Sequence, residues 1–266
     1  MHLAFKNKRE ISQNKELKTK LLKPLWDRFN GPVIVHAVHD KDVFKKILAE
    51  GVIKTPSEDV DKKSHYMEKM MGLDKGIFFS VGFVYNVSYH WKYSLIFRKE
   101  ILKEKIYFKN SVGYQSYKRI FEYWDANDHT LKEIERINDS CKEVVHRYYN
   151  EEYNGETKKI VMFWKIENIL YEKIMNHPKK EELFNIIETV KQEIQLNYED
   201  AVKDADTLLY DDRVPEIISF KDVDLINNDD FLGFYIEGEI PKDLLNILKE
   251  KYEGKIIYDG ERVEII

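Results

Sequence analysis

Apolar positions fall into short runs near the two ends of the chain and into helical stripes between them. After the breaker Gly31-Pro32 comes Val33-Ile34-Val35-His36-Ala37-Val38, a run rich in β-branched residues that predicts a buried strand. Asp40 is placed to cap a helix over residues 41–50, where Val43, Phe44, Ile47 and Leu48 fall on one face, and Gly51 supplies the stop. A polar stretch then runs to about Lys69. Gly76-Ile77-Phe78-Phe79-Ser80 reads as a second strand, residues 82–91 as a short aromatic helix, and residues 93–97 as a third strand.

From about Ser116 to Asp206 the pattern changes. Charged residues dominate, glycine and proline each occur once (Gly155, Pro178), and apolar residues recur at helical spacing. Ile134, Ile137, Cys141, Val144 and Val145 form one stripe; Leu183, Ile186, Ile187, Val190 and Ile194 form another. Residues 160–170 are ambiguous between helix and strand. Strand character returns at residues 216–220 and 231–240. Pro241 opens a helix over residues 242–252, and residues 255–258 with 262–266 predict a hairpin around Asp259-Gly260. Strands, then helices, then strands predict an α+β fold. The organisation expected is a basic helix or arm over residues 1–29 and one domain over 30–266, with a helical insertion at about 116–206.

Charge and composition narrow the classes of function. The 266 residues suffice for a core that buries roughly three quarters of the unfolded surface. Charged residues make up 34% of the chain, but the signs are interspersed and the net charge is -5, which excludes a surface that is basic throughout. Residues 1–24 hold seven Lys or Arg against two Glu, a pattern that suits a solvated helix or an acidic partner. Cys141 is the lone cysteine, so no disulfide closes within the chain and no multi-cysteine metal site exists. It sits on an apolar stripe, which reads as a buried, inert thiol. No apolar run of roughly 18 residues is present, and the first 20 residues lack the apolar core of a secretory signal. These features lead us to expect a cytoplasmic location with no membrane contact.

No phosphate-cradling glycine loop is present. His36 and His39 lie three apart on a predicted strand and point to opposite faces, so no metal is expected there. Three segments stand out together: the strand carrying His36 with its helix ending at Gly51; Lys75-Gly76-Ile77-Phe78-Phe79-Ser80 with Tyr89 downstream; and Val214-Pro215-Glu216-Ile217-Ile218-Ser219-Phe220. In this order they resemble the catalytic domain of the poly(ADP-ribose) polymerases and the diphtheria-toxin-type, His-Tyr-Glu branch of the ADP-ribosyltransferase-like superfamily. The resemblance covers residues 30–100 and 205–240, and the helical middle lies outside it. It implies a split β-sheet core and NAD as substrate.

Carried over residue by residue, the resemblance assigns catalytic roles to Glu216, His36 and Tyr89. Glu216 would hold the nicotinamide-side ribose and help activate the acceptor, His36 would bond the adenosine-side ribose, and Tyr89 would stack on the nicotinamide ring. Ala37 would grip the carboxamide through its backbone, and Gly76, Phe78 and Ser80 would line the dinucleotide. The chain departs from the family where Ala37 and Val38 replace Gly and Ser, and where Phe78 replaces Tyr. Transfer of single ADP-ribose units to a protein or nucleic acid is therefore expected rather than chain elongation, in a toxin or defence role. Glu237 and Glu239 form a rival Glu-Gly-Glu pair, similar to that of arginine-directed relatives. Two other functions stay open, an inactive NAD- or ADP-ribose-binding or protein-interaction module and an RNA 2'-phosphotransferase. The sequence carries no signal of oligomeric state.

Overall fold

A computed structural model of the chain describes residues 15–38, 40–56, 66–82, 92–110, 112–123, 171, 174–208, 215–260 and 262–266. In chain order the elements are α1 (Lys15–Phe29), β1 (Val33–Val38), α2 (Lys41–Glu50), β2 (Val52–Ile53), α3 (Tyr66–Met70), β3 (Ile77–Val81), β4 (Tyr93–Arg98) and a 3-10 helix (Lys99–Glu104). They continue with β5 (Ile106–Phe108), α4 (Val112–Tyr123), α5 (Lys180–Ile194), β6 (Gln195–Leu196), α6 (Tyr198–Thr207) and β7 (Glu216–Ser219). The last are β8 (Val223–Asp224), β9 (Phe231–Ile236), α7 (Lys242–Lys251), β10 (Ile256–Tyr258) and β11 (Val263–Ile265). The fold is α+β.

The chain divides into two compact units. The first comprises residues 1–55, 76–110 and 195–266; the second comprises 56–75 and 111–194. In the first, nine strands form one sheet in the order β11-β10-β9-β4-β1-β3-β7-β5-β6, and β2 pairs with β8 in a separate ladder. Every neighbouring pair is antiparallel except β9 and β10. The β1 run is apolar because this strand lies mid-sheet, with Val33, Ile34, Val35 and Val38 all buried. Between Ile96 and Phe97 the β4–β9 register shifts, so Leu232 is an extra residue on β9. The next residue, Gly233, has φ 149°, and a Cβ there would lie 2.1 Å from the Ile256 carbonyl oxygen. Only glycine lets β10 approach at that point.

Local chemistry explains α2. The Asp40 carboxylate accepts from the N–H groups of Asp42 and Val43 at 2.7 and 3.0 Å, and Gly51 closes the helix at φ 72°. Phe44 and Leu48 are buried, whereas Val43, expected on the same face, is 51% exposed. Phe44 stacks on Tyr93 and meets the edge of Phe234, which packs on Tyr252 at the end of α7. The basic N-terminal segment is not wholly solvated: α1 buries Leu22, Leu25 and Trp26. The expected hairpin forms between β10 and β11, with Asp259 accepting from the Arg262 N–H at 2.7 Å.

In the second unit α4 packs on α5, where Arg119 pairs with Glu193 at 2.7 Å. Leu183, Ile187, Val190 and Ile194 are buried, and Ile186 beside them is half-buried. This unit ends at residue 194 rather than near 206, because α6 buries Ala201 and Ala205 in the core of the first unit. The charged, glycine-poor composition runs on through α6, so the sequence gives no sign of that switch. The stripe around Cys141, residues 160–170, residues 83–91 of the short helix expected over 82–91, and His39 lie outside the described residues. Among the described residues, no helix is long and apolar enough to cross a membrane.

Tyr252 links α7 to α2 by donating its hydroxyl to the Leu48 carbonyl at 2.9 Å. Burial, with a smaller push from the Asp224 charge, raises this phenol to about 12 from an ordinary 10.0. A proton held more tightly in the folded state stabilises fully below the unfolded pKa and is lost as pH climbs through the folded one. Unfolding free energy should therefore fall between pH 10 and about 12. Tyr252→Phe should remove that component in denaturant titrations, and an identical pH slope in the variant would contradict the assignment.

Candidate functional site

The site begins where a ladder stops. β1 pairs with β4 along its whole length, from Val33 opposite Arg98 to Val38 opposite Tyr93. β3 pairs with β7 through Ile77, Phe78 and Phe79, opposite Ser219, Ile218 and Ile217. Between β1 and β3 only Ile34–Val81 and Val35–Ser80 pair. Beyond Val35 the two strands keep their outer partners and part from each other, leaving a split in the sheet.

His36 spans that split. Its Nδ1 lies 2.8 Å from the Phe78 carbonyl oxygen, and since a carbonyl only accepts, Nδ1 carries the hydrogen. Backbone groups of alternate strand residues point to the same side. The Val33 carbonyl accepts from the Gly82 N–H at 2.8 Å, so Val33, Val35 and Ala37 all turn their backbone groups toward β3. Ala37 therefore presents an N–H and a C=O to the split, one donor beside one acceptor.

Register also assigns faces, because cross-strand partners share one. Val35 pairs with Ser80, and Phe79 pairs with Ile217, so Ser80 stands next to Glu216. Ala37, Phe78, Ser80 and Glu216 consequently share one face, and His36, Phe79 and Ile217 belong to the other. On the first face Ala37, Phe78 and Glu216 are half-exposed, while Val35, Ser80, Ile96 and Ile218 are buried. On the second, Val38, Phe79 and Ile217 are buried and His36 is half-buried. There Phe79 packs against His36 at 5.4 Å and Phe97 at 5.7 Å. The Lys105 ammonium stands 5.8 Å from the Phe79 ring centre, and burial pushes this lysine below its usual range.

Of the expected site residues, Ala37, Phe78 and Glu216 are half-exposed on one face. Strand alternation gives His36 and Glu216 opposite faces of the sheet. Ser80 is buried and its hydroxyl donates to the Gly82 carbonyl at 3.1 Å. Gly76 is buried just before β3. Tyr89 lies outside the described residues. Glu237 and Glu239 do not share a strand face, because β9 ends at Ile236, and β4 and β1 intervene between β9 and the split. Sequence reasoning misses β5, whose Phe108 is the cross-strand partner of Glu216, because three residues are too few to show periodicity.

Among the described residues, no cluster of three or more His, Cys, Asp or Glu is arranged to hold a metal ion. No family model, curated protein or solved structure matches this chain. The site therefore has to be argued from its own geometry. If His36 ties the two half-sheets together, His36→Leu should strip the Phe78 carbonyl of its donor and lower unfolding free energy by about 1–2 kcal/mol. Urea denaturation measures this, and an unchanged midpoint and slope would show that the bond holds nothing.

Proposed function

We propose that the chain binds NAD at the split between β1 and β3 and transfers single ADP-ribose units to a macromolecular acceptor, protein or nucleic acid. One observation carries this reading. Segments far apart in sequence, which the family resemblance groups into a dinucleotide site, supply neighbouring strands β1, β3 and β7. Their half-exposed residues Ala37, Phe78 and Glu216 share one face. A donor and an acceptor from the one residue Ala37 match a primary carboxamide, which offers an acceptor and a donor in return. Phe78 gives the nicotinamide ring an apolar surface on the same side.

In this reading the bond between nicotinamide N1 and the ribose C1' breaks, and its electron pair passes to the pyridinium ring, releasing neutral nicotinamide. Positive charge develops on the ribose, where the Glu216 carboxylate stabilises it electrostatically. The acceptor's nucleophilic atom forms the new bond to C1' and gives up its proton, which Glu216 takes. His36 would bond the adenosine-side ribose from within the split, and Tyr89 would stack on the nicotinamide. Glu216 is favoured over Glu237 and Glu239 because it borders β3, a wall of the split.

Incubation with labelled NAD should release nicotinamide and label a macromolecular fraction. Glu216→Gln should slow both by at least about a hundredfold while its circular dichroism and unfolding midpoint stay unchanged. Unimpaired transfer by the variant contradicts the role of Glu216. Tight NAD binding by the wild-type chain without any nicotinamide release favours an inert binding module instead.

A further inference from the structure

β11 is the outermost strand of the nine-stranded sheet and pairs on one side only, with β10. In that ladder the Arg262 carbonyl accepts from the Asp259 N–H at 3.3 Å, and the Ile266 N–H donates to the Lys255 carbonyl at 2.9 Å. Backbone groups alternate in direction along a strand, so Arg262, Glu264 and Ile266 turn theirs toward β10. Val263 and Ile265 turn an N–H and a C=O the other way, past the edge of the sheet. Side chains alternate too: Val263 and Ile265 share one face with their partners Tyr258 and Ile256, and Arg262 and Glu264 share the other.

An open edge of this kind is a template for another strand unless proline, a bulge or repelling charge blunts it. Residues 262–266 hold no proline, and the β10–β11 register runs without a shift. Ile265 is 65% exposed, more than any other large apolar side chain among the described residues. The two charges of the strand, Arg262 and Glu264, are both exposed and opposite in sign. The far edge of the sheet, β6, has only two residues and offers no comparable ladder.

The order of these residues matches the strand to itself. Two copies related by a two-fold axis pair antiparallel, and each outward residue must then oppose an outward residue. Centred on Val263, the pairing sets Val263 against its own counterpart and Arg262 against Glu264 twice, once on each side of the axis. Unlike charges directly opposed across a ladder attract, and like charges repel. Centred on Glu264 instead, the pairing sets that carboxylate against its counterpart; centred on Ile265, it sets Glu264 against Ile266. Only the first register satisfies both charges. It also brings each exposed Ile265 diagonal to Val263 of the second copy on one face.

We propose that β11 joins two copies of this chain edge to edge, antiparallel, in the register centred on Val263. The two sheets become one, and β10, β9 and β4 stand between the join and β1, so each copy keeps its own split.

Sedimentation equilibrium over a concentration series tests this, with circular dichroism as the control on folding. The wild-type chain should dimerise. Arg262→Glu and Glu264→Arg each set like charges together twice and should each weaken the dimer by about tenfold. Mixing the two variants in equal amounts pairs Glu with Arg at both places, so the heterodimer should regain wild-type affinity; the double variant should regain it as a homodimer. A wild-type chain that stays monomeric throughout overturns the proposal. A dimer that neither single substitution weakens places the join elsewhere. Weakening that neither the mixture nor the double variant repairs rejects the register, since the Arg262–Glu264 pairs would then not form across the axis.

Discussion

A strand in the middle of a sheet ordinarily satisfies its backbone on both sides, because buried N–H and C=O groups without partners are costly. β1 obeys this along its β4 edge and abandons it along its β3 edge after Val35. The His36 imidazole meets one consequence of the break by bonding the Phe78 carbonyl across the opening. Ala37 turns the next donor and acceptor into the same opening. The ladder is thus exchanged for a slot whose walls are backbone, and its chemistry follows from which residues border it.

The surrounding fold keeps that opening in place. The strands that part are each held from outside, β1 by the β4–β9–β10–β11 ladder and β3 by β7 and β5. On the opposite face, Phe44, Tyr93, Phe234 and Tyr252 pack ring on ring under α2 and α7. Gly233 lets β10 dock in parallel where any Cβ would strike the Ile256 carbonyl. Ala37, Phe78 and Glu216 are the half-exposed residues that β1, β3 and β7 offer on one face, where a ligand can meet them together.

Much of this was legible in the chain, for local reasons. β1, α2 and the terminal hairpin announce themselves through β-branched runs, an Asp cap, a glycine stop and an Asp-Gly turn, all decided within a few residues. Strands β2, β5, β6 and β8 have two or three residues each, and their existence depends on partners distant in sequence. The site was half legible. Residue types and order pointed to His36, Ala37, Phe78 and Glu216, but strand parity was not applied across the three segments. His36 and Glu216 fall on opposite faces, and Glu237 with Glu239 were expected on a strand that ends before them.

If the split is the ligand cleft, the Ala37 amide is the atom that reports on it. Residue-resolved hydrogen exchange by NMR, with and without NAD at saturating concentration, measures this directly. The account predicts that the Ala37 amide becomes markedly slower to exchange when NAD is present, whereas the Ile96 amide, deep in the β4 ladder, does not change. Unaltered exchange at Ala37 under conditions where NAD is demonstrably bound would contradict it, because the dinucleotide would then lie elsewhere on the chain.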